Sequence, residues 1–187
     1  HRLSYNKLRQ TQFNLTSGKA GAGKSTSQYV AFDTDERLKN ALFLYPTKDL
    51  AQDFVDKYGI EHITYQKFIV KGFELNKDFK YITRFKNLII DEATFINRSE
   101  MRKIKERALK FNFVVHFIGD IDEKRIYQLK AIEGRSISLN FMKEEFENMY
   151  HRHLTKVYRN GGQLLDRLNK IRDDNMSYEE IIELFKD

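Results

Sequence analysis

Gly18-Lys19-Ala20-Gly21-Ala22-Gly23-Lys24-Ser25 matches G-x-x-x-x-G-K-[S/T] without a gap. A nucleoside triphosphate needs a turn whose backbone N–H groups all face its phosphates. Glycines allow such a turn because they accept dihedrals that other residues avoid and put no side chain in the way. In a loop of this kind Lys24 supplies a point charge at the β and γ phosphates, and the Ser25 hydroxyl ligates Mg²⁺. The helix opening there, with Thr26 in its first turn, adds its positive end. The nucleotide-binding set is therefore Gly18, Gly21, Ala22, Gly23, Lys24, Ser25 and Thr26. Residues 12–17, QFNLTS, read as the strand that feeds the loop. A chance glycine-rich turn would not need that strand–loop–helix context.

The second signal is Asn87-Leu88-Ile89-Ile90-Asp91-Glu92-Ala93, an apolar strand that ends in two acids. Ligands of parallel sheets sit at the carboxyl ends of the strands. There Asp91 would hold Mg²⁺ and Glu92 would act as general base toward an attacking water. The bland alternative, a solvated strand end, loses weight behind a phosphate loop.

Working outward, short apolar runs at 13–15, 41–45, 87–90, 113–118 and 154–158 alternate with helical patterns at 48–58, 99–110, 162–171 and 178–185. Runs of this length suit strands buried on both faces. Their alternation with helices predicts βαβ units around a mainly parallel sheet, with helices on both faces. The 187 residues suffice for one domain, and 41% hydrophobic content with 15 Phe and 10 Tyr supplies a core. There is no cysteine, which excludes disulfide scaffolds, thiol catalysis and cysteine-bound metals. No apolar run approaches the roughly 18 residues that span a bilayer. The opening HRLSYNKLRQ has no apolar signal core, and the absence of an initial Met reads as a trimmed start. A soluble, cytoplasmic protein is expected, without membrane contact. The net charge of +6 permits binding to phosphate backbones without establishing it.

The order of these motifs resembles the first RecA-like domain of superfamily 1 helicases, of the RecD-like and phage or viral kind. The resemblance runs from about residue 15 to the C-terminus. The phosphate loop is similar to motif I and Asp91-Glu92-Ala93 to motif II. Tyr45-Pro46-Thr47-Lys48 resembles motif Ia, and Thr64-Tyr65-Gln66-Lys67-Phe68 resembles motif Ib. The resemblance places Pro46, Thr47, Lys48, Thr64, Tyr65 and Lys67 against single-stranded DNA or RNA, with Tyr65 giving a stacking face. Phe117-Ile118-Gly119-Asp120 resembles the start of motif III, and Leu154-Thr155-Lys156-Val157-Tyr158-Arg159 resembles motif IV, whose arginine reaches the γ-phosphate.

Two positions depart from the family pattern. Glu123 stands where motif III has a γ-phosphate-sensing glutamine. Gln128-Leu129 followed by Gly134 resembles the continuation of that motif, so residues 123–127 read as an insertion and Gln128 takes the sensor role. An adenine-reading glutamine about twenty residues before the loop has no counterpart, since Gln10 and Gln12 stand too close to it. The resemblance implies an ATP- and Mg²⁺-dependent motor domain that moves on or unwinds single strands, with Lys24, Glu92, Gln128 and Arg159 as catalytic residues. It also implies a second RecA-like domain outside residues 1–187, and a host cytoplasm if the source is viral. The rivals are a nucleoside kinase of the thymidine-kinase type and a nucleotide-binding switch without turnover.

Two smaller features stay with plainer readings. His151 and His153 would face one side of an extended stretch but lack a third metal ligand. Residues 102–110 form the solvated basic face of an amphipathic helix.

Overall fold

The apolar runs at 13–15, 41–45 and 87–90 lie in strands, as do residues 114–118 of the run at 113–118. The computed structural model describes residues 11–18, 40–121 and 137–154. Its strands are β1 (Phe13–Gly18), β2 (Ala41–Tyr45), β3 (His62–Thr64), β4 (Asn87–Ile90), β5 (Val114–Ile118) and β6 (Tyr150–Leu154). They form one sheet in the order β3-β2-β4-β5-β1-β6, and every neighbouring pair is parallel. The described helices are α1 (Lys48–Tyr58), α2 (Tyr65–Ile69), α3 (Phe79–Thr83), α4 (Arg98–Phe111) and α5 (Leu139–Glu145).

Period-two alternation sorts the strand residues between two faces. Phe13, Leu15, Leu42, Leu44, Ile63, Leu88, Ile90, Val115 and Phe117 share one face. It is covered by Phe68 and Ile69 of α2, Met101, Ile104 and Ala108 of α4, and Phe141 and Met142 of α5. Each of these side chains larger than alanine contributes about 1.5–3 kcal/mol relative to exposure. On the other face Ala41, Phe43, Tyr45, Ile89 and Ile118 pack with Ala51, Phe54, Val55 and Tyr58 of α1. Beside this second, smaller cluster runs a polar band. Asn14 donates to Thr11 O (2.8 Å), His116 donates from Nε2 to Asn87 Oδ1 (3.2 Å), and Arg152 donates to Thr16 Oγ1 (3.3 Å).

Helix ends follow their cap residues. Thr47 accepts from the Leu50 N–H at the start of α1, and Gly59 closes that helix at φ 60°. Asn97 and Glu100 form a reciprocal capping box at the start of α4. The predicted helix at 99–110 is thus extended by one residue at each end. Its basic face is only partly solvated, because the Arg107 guanidinium donates to Phe68 O and, at 2.6 Å, to Val70 O.

β1 and β5 differ from the expected bounds by one residue, and β6 differs most. The run at 154–158 predicts a strand starting at Leu154, yet β6 starts at Tyr150 and includes His151, Arg152 and His153. Residues 155–158 lie outside the described residues. Among the described residues β6 pairs only with β1, so nothing there demands an apolar run on its outer flank. No helix among the described residues is long and apolar enough to cross a membrane.

Candidate nucleotide and nucleic-acid site

The topology puts β5 between β1 and β4, so the carboxyl ends of three adjacent strands lead into motifs I, II and III. β1 ends at Gly18, whose φ of 154° suits glycine alone. Residues 19–26, with Lys24, Ser25 and Thr26, lie outside the described residues, as do Gln128 and Arg159.

The β4 end is described in full. Asp91 continues the ladder by donating its N–H to Leu44 O (3.0 Å), and its side chain is 3% exposed. Its Oδ1 accepts the Glu92 N–H at 2.8 Å. A buried carboxylate must be compensated by hydrogen bonds or a cation. An oxygen donor held this way is of the type Mg²⁺ takes, so Asp91 fits the ion. Glu92 is exposed and sits at φ 52°, ψ 48°, the left-handed region. Non-glycine residues held there store about 1–3 kcal/mol of strain and cluster at functional sites. The turn aims the two adjacent acids differently, one inward and one to solvent.

Gly119, just past β5, closes on this turn. A Cβ on it would stand 3.3 Å from Ala93 N and 3.5 Å from both Ala93 Cβ and Thr94 N. Its own N–H donates to Thr16 O at 3.2 Å, so motif III touches both the phosphate-loop strand and the acidic turn. Tyr45 and Tyr65 bracket the same region. Burial raises both phenol pKa values, and the Asp91 charge raises them further, so both rings stay neutral.

Next along the sheet edge, the ends of β2 and β3 enclose a small cleft of about 40 Å³ lined by Tyr45, Thr47, Lys48, Ala51, His62, Ile63, Thr64 and Lys67. The structure thereby brings together the predicted motif Ia and Ib residues Thr47, Lys48, Thr64 and Lys67. Pro46 lies in the turn just before them. Lys67 pairs with Asp78 at 3.7 Å. Tyr65 requires a correction. Its ring is 6% exposed within the core, so it offers no stacking face. The residue alternates with Thr64 and sits one position past β3, where α2 begins and turns it inward. His62 is a lining residue that motif reading missed. It lies two positions before Thr64, on the same side of β3, and that spacing is the signal which could have found it. Gln12 stands just before β1, where its amide donates to Ala108 O and Phe113 O, both at 3.2 Å. His151 and His153 do face one side, and no third imidazole or carboxylate joins them to form a metal site among the described residues.

A family model for the AAA domain matches residues 6–187. The chain belongs to the AAA domain family. No curated protein matches it by sequence. Among solved structures this AAA domain is similar to Bacteroides Pif1 bound to ssDNA, with 16% identity, 95% of this chain and 46% of that chain covered, and a TM-score of 0.67. It is also similar to Bacteroides sp Pif1 in complex with ADP-AlF4 (18% identity, 96% and 46% covered, TM-score 0.62). A third is Pif1 helicase from Candida albicans (19% identity, 95% and 44% covered, TM-score 0.63). At these identities the likeness is one of fold: the AAA domain here is RecA-like and α/β, with a parallel central sheet. It spans less than half the length of those chains.

Proposed function

We propose that this AAA domain is the ATP-binding and ATP-hydrolysing first half of a superfamily 1 helicase motor that acts on single-stranded nucleic acid. The observation that carries the reading is the acidic turn, where a buried Asp91 and a strained, exposed Glu92 stand two strands from the one that enters the phosphate-loop sequence. Similarity in fold to Pif1 structures solved with ADP-AlF4 and with ssDNA supports it.

In this reading the loop backbone from Gly18 to Gly23, with Lys24, holds the β and γ phosphates. Ser25 and Asp91 would hold Mg²⁺, which when bound neutralises charge on the phosphate oxygens. The Glu92 carboxylate takes a proton from the water that attacks the γ-phosphorus, while Gln128 and Arg159 contact the γ-phosphate. Thr47, Lys48, Thr64 and Lys67 track the strand along the cleft. Lys48 is a better phosphate contact than Lys67, whose charge Asp78 already shares. A second RecA-like domain completes the nucleotide site and half of the groove, and a trans arginine of that kind is worth about 10³–10⁵ in rate.

The test is ATP turnover with and without a single-stranded oligonucleotide, for this chain alone and joined to the remainder of its protein. The expected result is slow turnover alone and a gain of orders of magnitude with the second domain and oligonucleotide. Turnover that needs a nucleoside acceptor would establish a kinase instead. Tight ATP binding with no turnover in the joined protein would establish a switch.

A further inference from the structure

Ser17 is the last residue before Gly18, and its side chain is fully buried. Its Oγ lies 2.6 Å from His151 Nε2 and 3.0 Å from His153 Nδ1. The register explains the convergence: Ser17 stands opposite His153 and Leu15 opposite His151, so both rings rise from β6 on the face that Ser17 occupies. We propose that His151 and His153 are positioning residues for the phosphate loop, acting through the Ser17 hydroxyl. The inference rests on the nucleotide reading above and names a part of the site that motif comparison leaves out.

The chemistry of the hydroxyl makes the joint specific. Ser17 has one proton to donate and lone pairs to accept. The hydroxyl can accept a ring N–H from one histidine while it donates to a bare nitrogen of the other. That three-membered chain couples the tautomers of the two rings and clamps Ser17 from two sides. β1 ends one residue later at Gly18, where φ is 154° and no side chain restrains it. The clamp therefore sits where β1 hands over to the phosphate-binding turn. The same strand β6 ends at Leu154, five residues before Arg159 in sequence. One joint thus ties the strand that enters the phosphate loop to the strand that leads toward the motif IV arginine. Leu15 and Gly18 already pair with β6 through the backbone, so simple adhesion does not require three polar side chains at this position.

The rings reach Ser17 through different nitrogens, which gives a discriminating test. Glutamine places its amide where Nε2 lies, and asparagine places its amide where Nδ1 lies. In the 187-residue chain, affinity for a fluorescent ATP analogue with Mg²⁺ is measured for Ser17→Ala, His151→Leu, His153→Leu, His151→Gln and His153→Asn, each with a thermal melt. The alanine and leucine variants should weaken binding about five- to tenfold, the scale of one lost hydrogen bond, while His151→Gln and His153→Asn stay within about twofold of the parent. Leucine variants that bind like the parent would overturn the proposal. So would Gln and Asn variants as weak as leucine, since shape alone would then matter. If the leucine variants do not fold, the ring ¹⁵N resonances of the parent decide: both should shift when the analogue saturates, and unchanged resonances sink the joint. A parent chain that binds no analogue overturns the nucleotide reading as well, whereas binding without these variant effects overturns only the joint.

Discussion

The acidic turn after β4 and the cleft at the ends of β2 and β3 lie along one edge of the sheet, yet they hold their side chains by opposite means. Asp91 is buried, fixed by a backbone N–H, and followed by a strained residue under a glycine that fits against the turn. Thr47, Lys48 and Lys67 stand in solvent, held by a helix cap and one exposed ion pair. A group that must meet one reacting atom needs preorganised geometry. Groups that track a flexible polyanion need charge and room to adapt. Substitutions at the turn should therefore act on rate in large steps, and those in the cleft on affinity in small, salt-dependent ones.

The largest effect is expected from Glu92→Gln. Turnover should fall about 10²–10⁴-fold with nucleotide affinity retained, because an amide cannot take a proton from water. Steady-state rates beside equilibrium binding check this, and lost binding would give Glu92 a structural role and erase the contrast.

The polar band behind the turn should respond to pH. Burial pushes the His116 imidazole down to about 4, with the Arg152 charge adding to the shift. Above pH 6.5 the ring is neutral in both states and its contribution is complete. As pH falls from 6.5 toward 4, the unfolded chain takes up a proton that the folded ring refuses. Stability should drop by up to about 3 kcal/mol over that window. Denaturant titrations at pH 7 and pH 4 measure the drop, and His116→Gln should flatten it. An unchanged slope in that variant would place the pH sensitivity elsewhere.

Tyr65→Phe tests the boundary between the two regions. The phenol oxygen is buried and has no hydrogen-bond partner among the described residues. Removing it should be neutral or stabilising by about 1 kcal/mol and should leave oligonucleotide affinity unchanged. A clear loss of affinity would return the ring to the cleft. The smallest effect belongs to Lys48→Ala, a few-fold weaker oligonucleotide binding with a salt slope lower by about 0.7, as one phosphate contact on a single strand predicts. Lys67→Ala should do less, since Asp78 competes for its charge.

What could be read from sequence followed the strength of local signals. β2 and β4 and helix α1 have the predicted boundaries because continuous apolar runs and a complete amphipathic pattern leave one choice. The acidic turn was legible because two acids end an apolar strand. The segment 62–83 was not, since β3, α2 and α3 are three to five residues long and too short for any period to register. Tyr65 failed for the same reason: a motif match assigns residues to a loop, but a one-residue change from strand to helix decides which way a ring turns. Ser17 and its two histidines were invisible as a group because 134 and 136 residues separate them.

The backbone of Glu92 has one more consequence, for how the chain can be improved. On the proposed function, a carboxylate at this left-handed position trades stability for chemistry. Glycine would occupy that turn without strain, so Glu92→Gly should melt higher, by about 1 kcal/mol, while hydrolysing nothing. If the proposed function holds, a search that ranks variants by thermal tolerance alone favours this substitution at the expense of turnover. Selection for stability in this protein has to be run with the acidic turn held fixed.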